Sequence, residues 1–193
     1  MSAERKPAIV ALVMSTVAFT VCFACWVINA VLVTYLVSNG TYDFDQAQVG
    51  WLMALPILTG ALSRVPLGIL TDKYGGRMVF TVLMLTVSVA MFLLSFADSY
   101  RDFLLASLAF GVAGGSFAVG VGYVSVWFEK KRQGTVLGLF GVGNVGAAAT
   151  TMLAPALLAN FTREGAFIEG WRVLPKAYAI VILVTALAFF FLT

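Results

Sequence analysis

The chain has 193 residues, 61% of them hydrophobic and 11% charged, with a mean hydropathy of +0.98. Soluble domains carry roughly 45–50% apolar and about 25% charged residues, so this composition excludes a water-soluble globule. An all-α integral membrane protein is expected, and its net charge of +3 calls for no nucleic acid partner, because membrane proteins gather Lys and Arg in cytoplasmic loops.

Six apolar runs predict helices at about Ala8–Val37, Val49–Thr71, Met78–Phe96, Phe103–Val126, Gly134–Asn160 and Val173–Thr193. Each meets the roughly 20 residues needed to cross a bilayer. The first run follows the charged start MSAERK, yet its uncharged stretch is too long for a signal peptide. It contains Cys22-Phe-Ala-Cys25, a C-x-x-C spacing. The chain has no histidine to complete a metal shell, and cysteines in mid-run pack as small hydrophobes. No metal, cofactor or catalytic residue is expected.

The second run contains LPILTGALSRVPLGIL, whose odd letter is Arg64. A central arginine costs about 2.5–3.5 kcal/mol on insertion scales, and no acid in this chain sits at membrane depth to pair with it. The simplest account is a receptor for an anion entering a water-filled cavity. Guanidinium is permanently charged, planar and forked, so it meets two oxygens of a planar oxyanion at once. The plainer alternative is an arginine satisfied by backbone carbonyls or by an acid outside these residues. The run closes on Gly68-Ile-Leu-Thr-Asp72-Lys73-Tyr-Gly75-Gly76-Arg77, a tight glycine turn with one acid and two bases. It reads either as a solvated turn or as a charged latch whose pairs break when helices move.

The fourth run repeats glycine at Gly111, Gly114, Gly115, Gly120 and Gly122, and the fifth at Gly134, Gly138, Gly141, Gly143 and Gly146. Gly141, Gly143 and Gly146 spell the dinucleotide fingerprint G-x-G-x-x-G. That fingerprint must follow a strand and open a helix of a βαβ unit, whereas here apolar residues continue to Leu158, so no nucleotide-dependent enzyme is expected. As small residues, these glycines let transmembrane backbones approach closely. Packing leaves Asn144 unexplained, an amide in mid-membrane. The sixth run ends on LAFFFLT with no polar flank, which suggests a fragment or half of a larger transporter.

Orientation follows from the loops. With the N-terminus inside, Arg5, Lys6, Lys73, Arg77, Lys130, Lys131 and Arg132 lie inside, against Arg101, Arg163, Arg172 and Lys176 outside. Acids lean the other way: Asp43, Asp45, Asp98, Asp102, Glu164 and Glu169 outside, Glu4, Asp72 and Glu129 inside. This is a positive-inside pattern with cytoplasmic termini, and Trp51, Trp127 and Trp171 fall at helix ends as interfacial anchors.

The loop Gly68–Arg77 resembles the signature between helices two and three of the major facilitator superfamily, departing from it at Gly76, where a base is more usual. Within that superfamily, GLFGVGNVGAAAT (Gly138–Thr150) resembles the glycine-rich nitrate signature of the nitrate/nitrite porter family. ALSRVPLGILTDKYGGR and GGSFAVGVGYVSVWFEKKRQG resemble the same family. The resemblance implies an N-terminal half of a twelve-helix transporter, built as two inverted three-helix repeats and completed by a C-terminal half. It also implies transport of nitrate, nitrite or both across the cytoplasmic membrane, and it adds Phe117 as a ring against the planar anion, with Phe23 a weaker candidate.

Depth along the helices agrees. Arg64 lies eight residues before Asp72, about 12 Å from the inner end, and Asn144 ten residues after Gly134, about 15 Å from the same side. Helices two and five are equivalent in inverted repeats whose substrate site lies near the midplane. Arg64 is therefore expected to anchor the anion and Asn144 to donate a hydrogen bond, with Asp72 and Arg77 in gating. The alternatives are a facilitator for another small anion, such as formate or oxalate, and a non-transporting six-helix subunit built on glycine packing. The lack of a membrane-depth carboxylate leans toward nitrate/nitrite exchange over proton symport.

Overall fold

The computed structural model describes residues 5–162 and 169–193. The charges expected at Glu4, Arg163 and Glu164 lie outside the described residues. The described residues form six helices long and apolar enough to span a membrane, and no strand among them. They are α1 (Arg5–Ser38), α2 (Gln46–Tyr74), α3 (Gly76–Leu94), α4 (Tyr100–Ser125), α5 (Lys130–Phe161) and α6 (Gly170–Leu192).

Local chemistry sets where they begin and end. α2 starts three residues before its apolar run because Asp45 and Gln48 form a capping box: Gln48 N donates to Asp45 Oδ1 at 2.8 Å and Asp45 N to Gln48 Oε1 at 3.1 Å. Ser99 and Asp102 cap α4 in the same way. Between α2 and α3 the chain turns on Gly75 alone, at φ +83°, a left-handed conformation that side chains with a Cβ rarely adopt. α4 and α5 each tighten into a 3₁₀ turn at mid-length, Val112–Gly115 and Val142–Asn144.

Packing has a two-fold logic. α1 lies along α5 as α4 lies along α2, while α3 lies along α6. Exchanging helices one, two and three with four, five and six reproduces these pairings, as two inverted repeats require. α2 and α5, the equivalent pair, are the least buried spans. The expected all-α architecture of six spans in two inverted three-helix repeats is the one observed.

Aromatic residues fill the core. Phe19 stacks on Phe140 at 4.8 Å between centroids, and Trp171 on Phe103 at 5.8 Å. Trp171 is therefore a core residue, 1% exposed, and not the interfacial anchor expected of it, whereas Trp51 is 60% exposed. Cys22 and Cys25 are free and fully buried.

At the end of the bundle that carries the α1–α2 and α3–α4 loops, Arg172 ties the helices together. Its Nη1 donates to the carbonyls of Ser95 (3.0 Å) and Ala97 (3.1 Å) past the end of α3, and its Nη2 pairs with Asp98 at 2.5 Å. Tyr42, from the α1–α2 loop, donates to the same Ala97 carbonyl at 3.1 Å. Burial pushes the Tyr42 hydroxyl above its ordinary pKa.

Candidate functional site

Small residues bring α2 and α4 together. A Cβ on Gly60 would lie 3.0 Å from Gly111 O and 3.1 Å from Gly114 Cα, closer than side chains normally pack. One turn further along, Arg64 leaves α2 on an exposed face. Its Nε donates to Gly114 O at 3.3 Å, in the 3₁₀ turn of α4. Among the described residues neither terminal nitrogen, Nη1 nor Nη2, has a hydrogen-bond partner, and no carboxylate pairs with the group. The backbone carbonyl thus orients the guanidinium at one edge and leaves the fork open.

The predicted aromatic residues cluster around Phe19 of α1. Phe117 follows Gly114 by three residues on α4 and is 40% exposed. Its ring lies 5.5 Å from Phe19 of α1 and 5.9 Å from Phe140 of α5. Phe19 in turn fills the space over Gly143, where a Cβ would overlap its ring. The next residue is Asn144, exposed at the end of the α5 3₁₀ turn, with Nδ2 donating to Gly141 O at 2.9 Å. Arg64 and Asn144 thus sit on exposed faces of α2 and α5, and a chain of ring contacts runs from Phe117 of α4 through Phe19 to the 3₁₀ turn that carries Asn144. Phe23 is set back from it, 8% exposed beneath Phe19 at 4.3 Å.

The glycines divide. Gly143 and Gly146 press on α1: a Cβ on Gly146 would overlap the Thr20 carbonyl. Gly138 and Gly141, expected as packing residues, would each place a Cβ in open space, with nothing within 4 Å of it. Two residues along a helix turn about 200° around its axis, so Gly141 and Gly143 face opposite ways, and within this chain the packing role belongs to Gly143 and Gly146.

The turn between α2 and α3 is likewise divided. Gly68 has open space around it and Asp72 is exposed with no ion-pair partner among the described residues. Lys73 lies 5.1 Å from the Tyr74 ring centroid. Arg77 crosses to α6, where it donates from Nη2 to the Phe190 carbonyl and stacks on that ring at 4.7 Å. A direct Asp72–Arg77 pair is absent here, and the two ion pairs among the described residues both centre on Arg172. Those residues also hold no cluster of His, Cys, Asp and Glu able to bind a metal ion.

Sequence reasoning missed Asn29 and Trp26 of α1. Asn29 is 1% exposed and donates to Leu52 O of α2 and Ser107 Oγ of α4. The signal was available, since a lone amide in mid-run is the same oddity that drew attention to Asn144.

Comparison with known proteins bears on the family. The sequence profile of the Major Facilitator Superfamily matches residues 14–193. The "Probable nitrate/nitrite antiporter NarK1" of Thermus thermophilus is 39% identical over 192 residues, covering 97% of this chain and 43% of that protein. The "Nitrite extrusion protein" of Bacillus subtilis is 33% identical over 159 residues, covering 81% of this chain and 38% of that one. The "Probable nitrate transporter NarT" of Staphylococcus epidermidis is 30% identical over 189 residues, covering 98% and 46%. The chain thus spans less than half the length of each of these curated relatives. Their names bear out the resemblance read from the motifs.

Proposed function

The chain belongs to the Major Facilitator Superfamily, and from that premise we propose that it forms the N-terminal six-helix unit of a secondary transporter of nitrate, nitrite or both. The unit sits in the cytoplasmic membrane with its N-terminus inside and works by alternating access against a C-terminal six-helix unit. The relatives named for nitrate and nitrite support the substrate class. The loop charges support the orientation.

The observation that carries the reading is Arg64: a guanidinium on a membrane-spanning helix, held at Nε by Gly114 O, with its fork open and no acid paired to it. A planar oxyanion accepts two parallel hydrogen bonds from such a fork. Phe117 would lie along the flat face of the anion, and Asn144 would turn its Nδ2 from Gly141 O to a third oxygen. Each of these groups binds the anion by contacts that are reversible and require no proton carrier, which fits exchange of nitrate for nitrite. Alternating access follows if the C-terminal unit supplies an opposing cation, so that the anion draws the two units together from either side.

Calorimetric titration of the purified full-length protein with nitrate, nitrite, formate and oxalate tests this. Nitrate and nitrite are expected to bind and to compete with each other. Selective binding of formate or oxalate would replace the substrate, and binding of none would leave a scaffold. Counterflow in proteoliposomes, with and without a pH gradient, then distinguishes exchange from symport.

A further inference from the structure

α2 contains a proline eight residues outside Arg64, at Pro56. Proline has no N–H, so inside a helix the carbonyl four residues earlier loses its partner. That carbonyl belongs to Leu52, and a side chain from another helix serves it: Asn29 Nδ2 of α1 lies 2.6 Å from Leu52 O. The same amide nitrogen donates to Ser107 Oγ of α4 at 3.1 Å. One turn earlier on α1, Trp26 donates from Nε1 to Pro56 O at 2.9 Å. The Trp26 indole also abuts Gly60 and Gly114, where α2 meets the carbonyl that orients Arg64.

Asn29 is buried, and its Oδ1 has no hydrogen-bond partner among the described residues. A half-satisfied amide costs more to bury than an apolar side chain of similar size, so packing alone does not account for asparagine here. We propose that Asn29 is a positioning residue: by supplying the hydrogen bond that Pro56 removes from α2, it fixes the angle of the Arg64-bearing segment against α1 and α4. The effect on transport rests on the anion-binding reading of Arg64. The effect on α2 does not.

The test uses the full-length protein in detergent, with nitrate affinity measured by calorimetry well below the unfolding temperature. Asn29→Ala is expected to weaken nitrate about tenfold, and the double variant Asn29→Ala/Pro56→Ala, which restores an N–H at position 56, to return within about threefold of wild type. Ser88→Ala serves as the comparison for stability. It removes a 2.9 Å bond from Ser88 Oγ to Ala179 O between α3 and α6, and is expected to lower the melting temperature without changing affinity. Wild-type affinity in Asn29→Ala, or a double variant as weak as the single, overturns the proposal. If Asn29→Ala does not fold, the double variant must fold and bind, and its failure also overturns it. If the wild type binds no nitrate, the site reading has failed separately. The melting temperature without anion then decides, with a loss in Asn29→Ala and recovery in the double expected, and no recovery counting against it.

Discussion

Arg64 and Gly114 join α2 to α4 by a hydrogen bond from Nε to a backbone carbonyl, 3.3 Å long. The bond uses the one guanidinium nitrogen that a bidentate anion contact can spare. Arg64→Lys keeps the charge but loses both the tether and the fork. Hydrogen bonds to charged groups are worth roughly 1.5–3 kcal/mol, so nitrate affinity is expected to fall about ten- to hundredfold. Asn144→Ala should cost less, because cavity water can replace a neutral donor. Calorimetry on both variants checks the order; wild-type affinity in Arg64→Lys beside lost binding in Asn144→Ala would reassign the anchor.

The two faces of α5 predict opposite outcomes for two glycine substitutions. Gly146→Leu drives a side chain into the Thr20 backbone, and overpacking of this kind costs about 1–3 kcal/mol or more. Folded yield and melting temperature should fall. Gly141→Leu meets open space within this unit and should fold normally, yet it should slow transport if that face closes on a second unit. Size-exclusion profiles and uptake assays separate the two. A normal melting temperature in Gly146→Leu would mean that α1 and α5 do not pack as described.

Residues 1–193 expressed alone are expected to insert but not to transport. The candidate anchor and Asn144 both sit on exposed faces of α2 and α5, and an anion held from one side has no second wall. The relatives are more than twice as long as the segment they share with this chain. Saturable nitrate uptake by residues 1–193, in cells lacking other porters, would contradict the two-unit mechanism.

Arg172→Met should destabilise far more than Asp98→Asn. The Asp98 side chain is 78% exposed, and exposed ion pairs contribute about 0–1 kcal/mol. Arg172 additionally satisfies the Ser95 carbonyl, and shares that of Ala97 with Tyr42; an orphaned buried acceptor costs about 1–3 kcal/mol. Thermal unfolding of the purified variants measures the difference. Equal losses would show that the ion pair, and not the carbonyl contacts, closes the bundle.

The six spans were legible because a bilayer imposes a length and a composition on every helix crossing it. Arg64 and Asn144 were legible for a related reason, since each breaks an apolar run at a depth where polarity is expensive. What the sequence did not reveal were pairings between distant positions. Gly138, Gly141, Gly143 and Gly146 look alike in a row, and only the arrival of Phe19 and Thr20 from α1 separates them into two faces. Asn29 looks like one stray amide until Leu52 and Pro56 stand opposite it. The charges around Asp72 and Arg77 read as a solvated turn or a latch, and nothing in their spacing pointed to the Phe190 carbonyl that Arg77 reaches.

The low burial of α2 and α5 has a consequence for biogenesis. They are also the two least apolar spans, so each enters the bilayer weakly by itself and gains from a neighbour already there. During synthesis that help arrives unequally. When α5 leaves the ribosome, α1 is already in the membrane to receive it. When α2 emerges, α4 does not yet exist, and Trp26 and Asn29 of α1 are the groups at hand to hold its N-terminal half around Pro56. A fold that is two-fold symmetric when finished is therefore assembled asymmetrically in time: α5 meets its partner on arrival, and the arginine-bearing helix must wait for its own.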